Sequence, residues 1–135
     1  MLSRRPVALA AALVLLVAPH LASAQPAAQP TIVKLEFAEY RFNPTQIDLD
    51  HGQPYILRLV NTGERAHGFS AKAFFHAAAL APASKPWVRN GVIELPVGQS
   101  VDITLTAPDA AGSYDFVCPH MLHEMMGMKG EIVVH

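Results

Sequence analysis

The sequence has one cysteine, Cys118, among 135 residues. It therefore has no intramolecular disulfide, no structural zinc site of the multi-cysteine kind and no binuclear metal centre bridged by two thiolates. Charge is scarce as well: 16% of residues are Asp, Glu, Lys or Arg, and the formal net charge is -1. That balance provides no broad cationic footprint for phosphates, which argues against nucleic acid as a partner. Internal repeats and long amphipathic helical patterns are missing too. With 51% hydrophobic residues, the chain has the means to bury one core, and its length suits a single domain rather than a disordered tail.

Part of that apolar content sits at the N-terminus. Arg4 and Arg5 precede an apolar run from Val7 to Ala18, and Ala22-Ser23-Ala24 offers a small-residue cleavage site before Gln25. This is the pattern of a secretory signal over residues 1–24. A run of about twelve residues, interrupted by Pro19 and His20, is short for roughly 30 Å of hydrocarbon, so no stable membrane insertion is expected after cleavage. Ser3-Arg4-Arg5 leaves the general and twin-arginine export routes both open. Removing residues 1–24 takes away Arg4 and Arg5, leaving 111 residues with 8 basic and 11 acidic side chains, a charge of -3. The expected organisation is signal 1–24, flexible leader 25–30 and one domain over 31–135.

Within that domain, short apolar runs alternate with polar residues and end at turn residues. Val33 to Phe37, Ile47 to Leu49, Tyr55 to Leu59, Val92 to Leu95, Val101 to Leu105, Tyr114 to Cys118 and Ile132 to Val134 read as strands separated by Gly, Pro, Asn and Asp. Phe74 to Leu80 is the one helical candidate. Seven or eight such strands without crossover helices predict an all-β, antiparallel sandwich.

The densest chemistry lies in Cys118-Pro119-His120-Met121-Leu122-His123-Glu124-Met125-Met126-Gly127-Met128. Four of the five methionines and two of the seven histidines fall in this stretch, after the only cysteine. Thiolate, imidazole and thioether are the donors that copper prefers, and a blue-copper site combines two His and one Cys in a plane with a long axial Met. A second histidine must come from elsewhere. His67 is the best candidate, because it lies just past a strand end, where a loop can bring it to one pole of the sandwich.

The pattern Cys118-x4-His123-x4-Met128, followed by Lys129-Gly130 and a terminal strand, resembles the C-terminal ligand loop of the cupredoxins. The run from Ile47 to Phe69, with Asn61 before His67, is similar to the segment that supplies that family's first histidine, and Leu95-Pro96-Val97-Gly98-Gln99 extends the likeness. The resemblance implies a Greek-key cupredoxin sandwich, with one copper ion bound by His67, Cys118 and His123 in the plane and Met128 on the axis. Met126 offers a shorter axial spacing. Many cupredoxins carry an asparagine directly after the first histidine, where it ties the two ligand loops together; here Gly68 takes that position, so the tie is absent or replaced.

Other residues have plainer readings. His51 reads as a solvated turn residue, His76 as part of a connecting segment, His120 as an outer neighbour of the site or a surface group, and Trp87 as a core or edge plug. Glu36, Glu39, Asp48 and Asp50 read as solvated strand faces without chemistry. The surplus methionines fit packing, an apolar docking face around His123, or a landing site for Cu(I). The functional expectation is a periplasmic type 1 copper protein, not an enzyme, that carries one electron to a redox partner docking near His123. The alternative is a periplasmic carrier that binds copper and delivers it to an acceptor protein.

Overall fold

The computed structural model describes residues 28–135. The expected signal 1–24 and the first half of the leader, residues 25–27, lie outside the described residues. Ten strands follow in chain order: β1 Thr31–Ala38, β2 Arg41–Asn43, β3 Gln46–Leu49, β4 Pro54–Asn61, β5 His67–Ser70, β6 Ala79–Leu80, β7 Val92–Leu95, β8 Ser100–Thr106, β9 Gly112–Val117 and β10 Lys129–Val134. One helix, α1 Lys72–Ala77, and a 3-10 turn, Lys85–Trp87, fill the connection between β5 and β7.

The strands form two five-stranded sheets, in the orders β2-β1-β4-β8-β6 and β3-β10-β9-β5-β7. Alternation explains the layering. Ile47 and Leu49, Leu57 and Leu59, and Val101, Ile103 and Leu105 are buried while their strand neighbours are partly or fully exposed, so each sheet turns one apolar face to the other. The expected all-β sandwich is therefore present, with one refinement. β1 runs parallel to β4, and β3 parallel to β10, while the remaining strand pairs are antiparallel. The chain passes from β2 into β3 of the opposite sheet before returning as β4, and that crossing makes a parallel partner available to β1.

One short strand escapes the alternation rule, and two others are too short to show it over any length. β5 is buried at His67, Gly68 and Phe69 alike, because it lies inside its sheet between β9 and β7 and is covered on both faces. β2 and β6 are edge pieces of three and two residues. The expected helix over 74–80 begins and ends earlier. Its alanines favour a helix, but Phe74 and Phe75 alone anchor it in the core, and the chain leaves α1 after Ala77 to pair Ala79 and Leu80 with Thr106 and Leu105 of β8. Trp87 is not a core plug: it stands half-exposed in the 3-10 turn, at 50% of its full accessibility.

A cluster of aromatic rings fills one end of the interlayer space. Phe69 lies 6.2 Å from Phe37, 6.0 Å from Phe42, 5.9 Å from Phe75 and 5.0 Å from Phe116, centroid to centroid. Offset and edge-on ring pairs at such distances are favourable beyond the area they bury. Cys118 and Met128 belong to the same buried cluster, which ties this aromatic end directly to the chemistry-bearing loop.

Candidate metal centre

His67 is the first residue of β5, and Cys118 follows the last residue of β9. These strands are neighbours, bridged at Ser70 and Val117. The sequence reading put His67 in a loop; the structure puts it at a strand start, where the ladder to β7 pairs it with Leu95 and fixes its backbone. The segment before it is pinned by the buried Asn61. Its Nδ2 donates to the carbonyls of Arg65 at 2.8 Å and Leu95 at 2.9 Å, and its Oδ1 accepts from the Gly63 amide at 2.9 Å. A buried amide with its bonds satisfied on three backbone groups holds the loop in one shape.

The second contribution comes from residues 118–128, which fold back on themselves. The Cys118 amide donates to the Met128 carbonyl, and the Met128 amide to the His123 carbonyl, each at 3.0 Å. The His123 amide donates to His120, that of Met126 to Leu122 and that of Gly127 to Glu124. These bonds close a compact turn that returns His123 and Met128 to the cysteine. Met128 is fully buried, whereas Met126 is exposed.

His67, Cys118 and His123 form a group whose ligand atoms lie within 4.8 Å of one another. Cys118 Sγ is 3.4 Å from His123 Nδ1 and accepts from the Gly68 amide at 3.4 Å. The His67 and His123 rings are 5.1 Å apart. His67 is completely buried, yet neither of its ring nitrogens has a hydrogen-bond partner. Orphaned polar atoms in a protein interior are rare and costly, so a buried imidazole without partners, beside a thiol and a second imidazole, calls for an ion. Two imidazoles and a thiol match the plane of a mononuclear copper site.

The electrostatics agree with a metal-binding role. Burial pushes the Cys118 thiol up, against the opposing pull of the Gly68 and His120 amides, so without a metal the sulfur keeps its proton at neutral pH. Burial likewise pushes His67 down; Glu39 opposes this and His123 adds to it, leaving the imidazole neutral. A neutral imidazole is ready to donate its lone pair, while the thiol must give up a proton to bind.

The tie between the two ligand segments is replaced rather than absent. His120 lies outside the three-residue group: its Nε2 sits 2.7 Å from Glu94 Oε2 on β7, and Glu94 is the ladder partner of Gly68. Pro119 packs directly over Gly68. A Cβ at Gly68 would stand 2.7 Å from Pro119 Cδ and 2.9 Å from both Pro119 Cγ and Glu94 Oε1, closer than real Cβ contacts come. Gly68→Ala is therefore expected to cost about 1–3 kcal/mol by overpacking, read as a lower melting temperature of the metal-free protein. An unchanged melting temperature would show that Pro119 and Glu94 are free to move aside.

Two neighbours of the site carried no signal in the sequence. Tyr40, in the β1–β2 turn, sets its ring edge-on to His123 at 5.2 Å. Glu39, expected to be a solvated strand residue, places Oε1 3.7 Å from His67 Nε2. Neither position is marked by spacing or motif, because only the pairing of β1 with β4 carries this turn to the metal pole. Of the remaining histidines, His51 lies at the far pole with His135, whose backbone carbonyl accepts from both the His51 amide and ring, and His76 is in α1.

A small β-sandwich that brings a buried histidine, a buried cysteine and a partly buried histidine together at its strand ends defines the class of a mononuclear metal-binding domain. The family model described as "Cupredoxin-like domain" matches residues 7–134, and the chain belongs to that family. Among solved structures it is similar to an auracyanin, crystallised in its dithionite-reduced state, from the photosynthetic bacterium Roseiflexus castenholzii: 24% identity, 80% of this chain and 98% of that one covered, TM-score 0.59. It is similar also to auracyanin A, a "blue" copper protein from the green thermophilic photosynthetic bacterium Chloroflexus aurantiacus, at 22% identity over 79% of this chain and 100% of that one, TM-score 0.56. Auracyanin B gives 18%, 80% and 91%, TM-score 0.58. At these identities the likeness shows the fold. No curated protein matches the chain. Cupredoxins bind one copper ion, and His67, Cys118 and His123, with Met128 close by, form a group that fits it.

Proposed function

We propose that this chain is an exported type 1 copper protein that carries single electrons between redox partners. The carrying observation is the convergence of the buried His67 and Cys118 with the partly exposed His123, both nitrogens of His67 being unpaired. In this reading His67, Cys118, His123 and Met128 would hold the copper ion, Met128 rather than Met126 because its side chain is buried with Cys118 while that of Met126 is exposed. Bound copper supplies a one-electron Cu(II)/Cu(I) couple.

The protein's own contribution is a frame that changes little. His67 is held by the β5 ladder and the Asn61 bonds, Cys118 by β9 and the Met128 carbonyl, and His123 by the turn it closes. Small rearrangement between oxidation states keeps the barrier to electron exchange low. Loading transfers the Cys118 proton to solvent, which makes copper binding tighter as pH rises. His123 is partly exposed on a loop that also exposes Met121, Leu122, Met125 and Met126, and would be the point at which a partner protein receives the electron. Export to the periplasm rests on the signal pattern of residues 1–24; among the described residues no helix is long and apolar enough to cross a membrane. The test is the copper-loaded protein itself: an intense visible thiolate-to-copper band supports the reading, and a colourless, fully loaded protein overturns it.

Copper delivery is the second reading, favoured by exposed sulfur. Met121, Met125 and Met126 are 87%, 84% and 55% exposed, so packing does not account for them. Thioethers in solvent suit soft Cu(I). Replacing His120, Met121, Met125 and Met126 by alanine is expected, under delivery, to slow copper transfer to an acceptor while the visible band persists. Transfer at the original rate would leave these side chains as a docking face.

A further inference from the structure

The turn between β1 and β2 touches both histidines of the site: Tyr40 lies against His123 and Glu39 faces His67. The Glu39 carboxylate is not a loose surface group. Its Oε1 accepts from the Glu64 amide at 2.5 Å, and its Oε2 lies 4.0 Å from Arg65 Nε. The segment that supplies those groups is bound to the end of β1, just before the turn, because the Thr62 and Gly63 amides both donate to the Phe37 carbonyl, at 2.9 and 3.1 Å. Space for the carboxylate is kept by Gly63. A Cβ there would stand 2.6 Å from Glu39 Oε1 and 3.1 Å from His67 Nε2.

His67 needs such a neighbour. It is completely buried, and the ring reaches no backbone carbonyl or side-chain acceptor within hydrogen-bond distance; Glu39 Oε1, at 3.7 Å from Nε2, is its charged neighbour. Metal-binding imidazoles characteristically offer the nitrogen that does not bind metal to a carboxylate or carbonyl, which fixes the tautomer and the ring plane. A negative charge on that side also stabilises the more positive oxidation state of a bound ion.

We propose that Glu39 is a positioning residue of the metal centre: its carboxylate keeps His67 as the Nε2–H tautomer, leaves Nδ1 for the metal, and biases the bound ion toward its oxidised state. The assignment rests on the copper reading above for its redox part, and on the Glu39–His67 contact alone for the tautomer. The carboxylate is therefore a built-in depressor of the reduction potential, carried by a turn distant in sequence from every ligand.

Glu39→Gln removes the charge while keeping an oxygen for the Glu64 amide. Copper-loaded E39Q is expected to keep its visible band, with its Cu(II)/Cu(I) equilibrium shifted about tenfold toward Cu(I), which is about 59 mV upward for one electron. A potential equal to or below that of the wild type overturns the charge bias. Long-range proton–nitrogen spectra of the metal-free wild-type protein read the tautomer without copper or substitution. A protonated Nε2 is expected for His67, and a protonated Nδ1 overturns the positioning role. A wild-type protein that shows this tautomer but no visible band when loaded overturns the copper reading and the redox bias, and leaves the Glu39–His67 contact standing.

Discussion

Cys118→Ser is expected to abolish the visible absorption of the copper-loaded protein and to convert its electron-paramagnetic spectrum to that of an ordinary nitrogen-and-oxygen copper site. The band belongs to the thiolate, and no other cysteine exists in the chain to replace it. A serine hydroxyl is hard and stays protonated, so His67 and His123 would hold copper almost alone. Affinity should fall by more than the roughly 10–100-fold that follows loss of an outer partner. The metal-free fold is expected to survive, because the serine oxygen can accept from the Gly68 amide as Cys118 Sγ does. A melting temperature near that of the wild type would confirm that the lost band reports the ligand rather than misfolding. Retention of the band would remove Cys118 from the site.

Phe69→Ala is expected to produce the largest loss of stability. Phe69 is fully buried and sits among Phe37, Phe42, Phe75 and Phe116, two residues beyond His67 on the same strand. Truncation removes the transfer free energy of a large side chain and leaves a cavity that rigid aromatic rings fill poorly, costing about 3–5 kcal/mol. Native domains hold only about 5–15 kcal/mol in total, so the melting temperature should drop by more than about 10 °C. The side chains of His67 and Phe69 both point into the interlayer space, being alternate residues of one buried strand. Part of the lost order should therefore appear at the metal pole, as a broader copper spectrum. A shift below about 4 °C would mean that the neighbouring rings close the gap.

Most of the scaffold was legible because its strands are half-buried. Where one face meets the core and the other meets water, as in β4 and β8, burial writes itself into the sequence with a period of two. β5 was hidden for the opposite reason. It is buried on both faces, and His67-Gly68-Phe69-Ser70 carries no period, although it holds a candidate ligand. Trp87 misled in a different way: size and apolarity predicted burial, but a tryptophan next to Pro86 in a 3-10 turn has no sheet face to enter. The methionines show a third case, since their composition announced a soft-metal loop while only their burial separates Met128 from Met121, Met125 and Met126.

By itself, the sequence determined the sandwich and the chemistry of the loop after Cys118, because both are local: one is a two-residue alternation, the other eleven consecutive residues that place sulfur and imidazole together. Tertiary structure decided what is brought from afar. The β5–β9 pairing places His67 beside Cys118, and the parallel pairing of β1 with β4 lays the Glu39–Tyr40 turn against both imidazoles. Such contacts depend on strand order and register, which are properties of how whole sheets bury their faces against each other and leave no spacing in the chain to read.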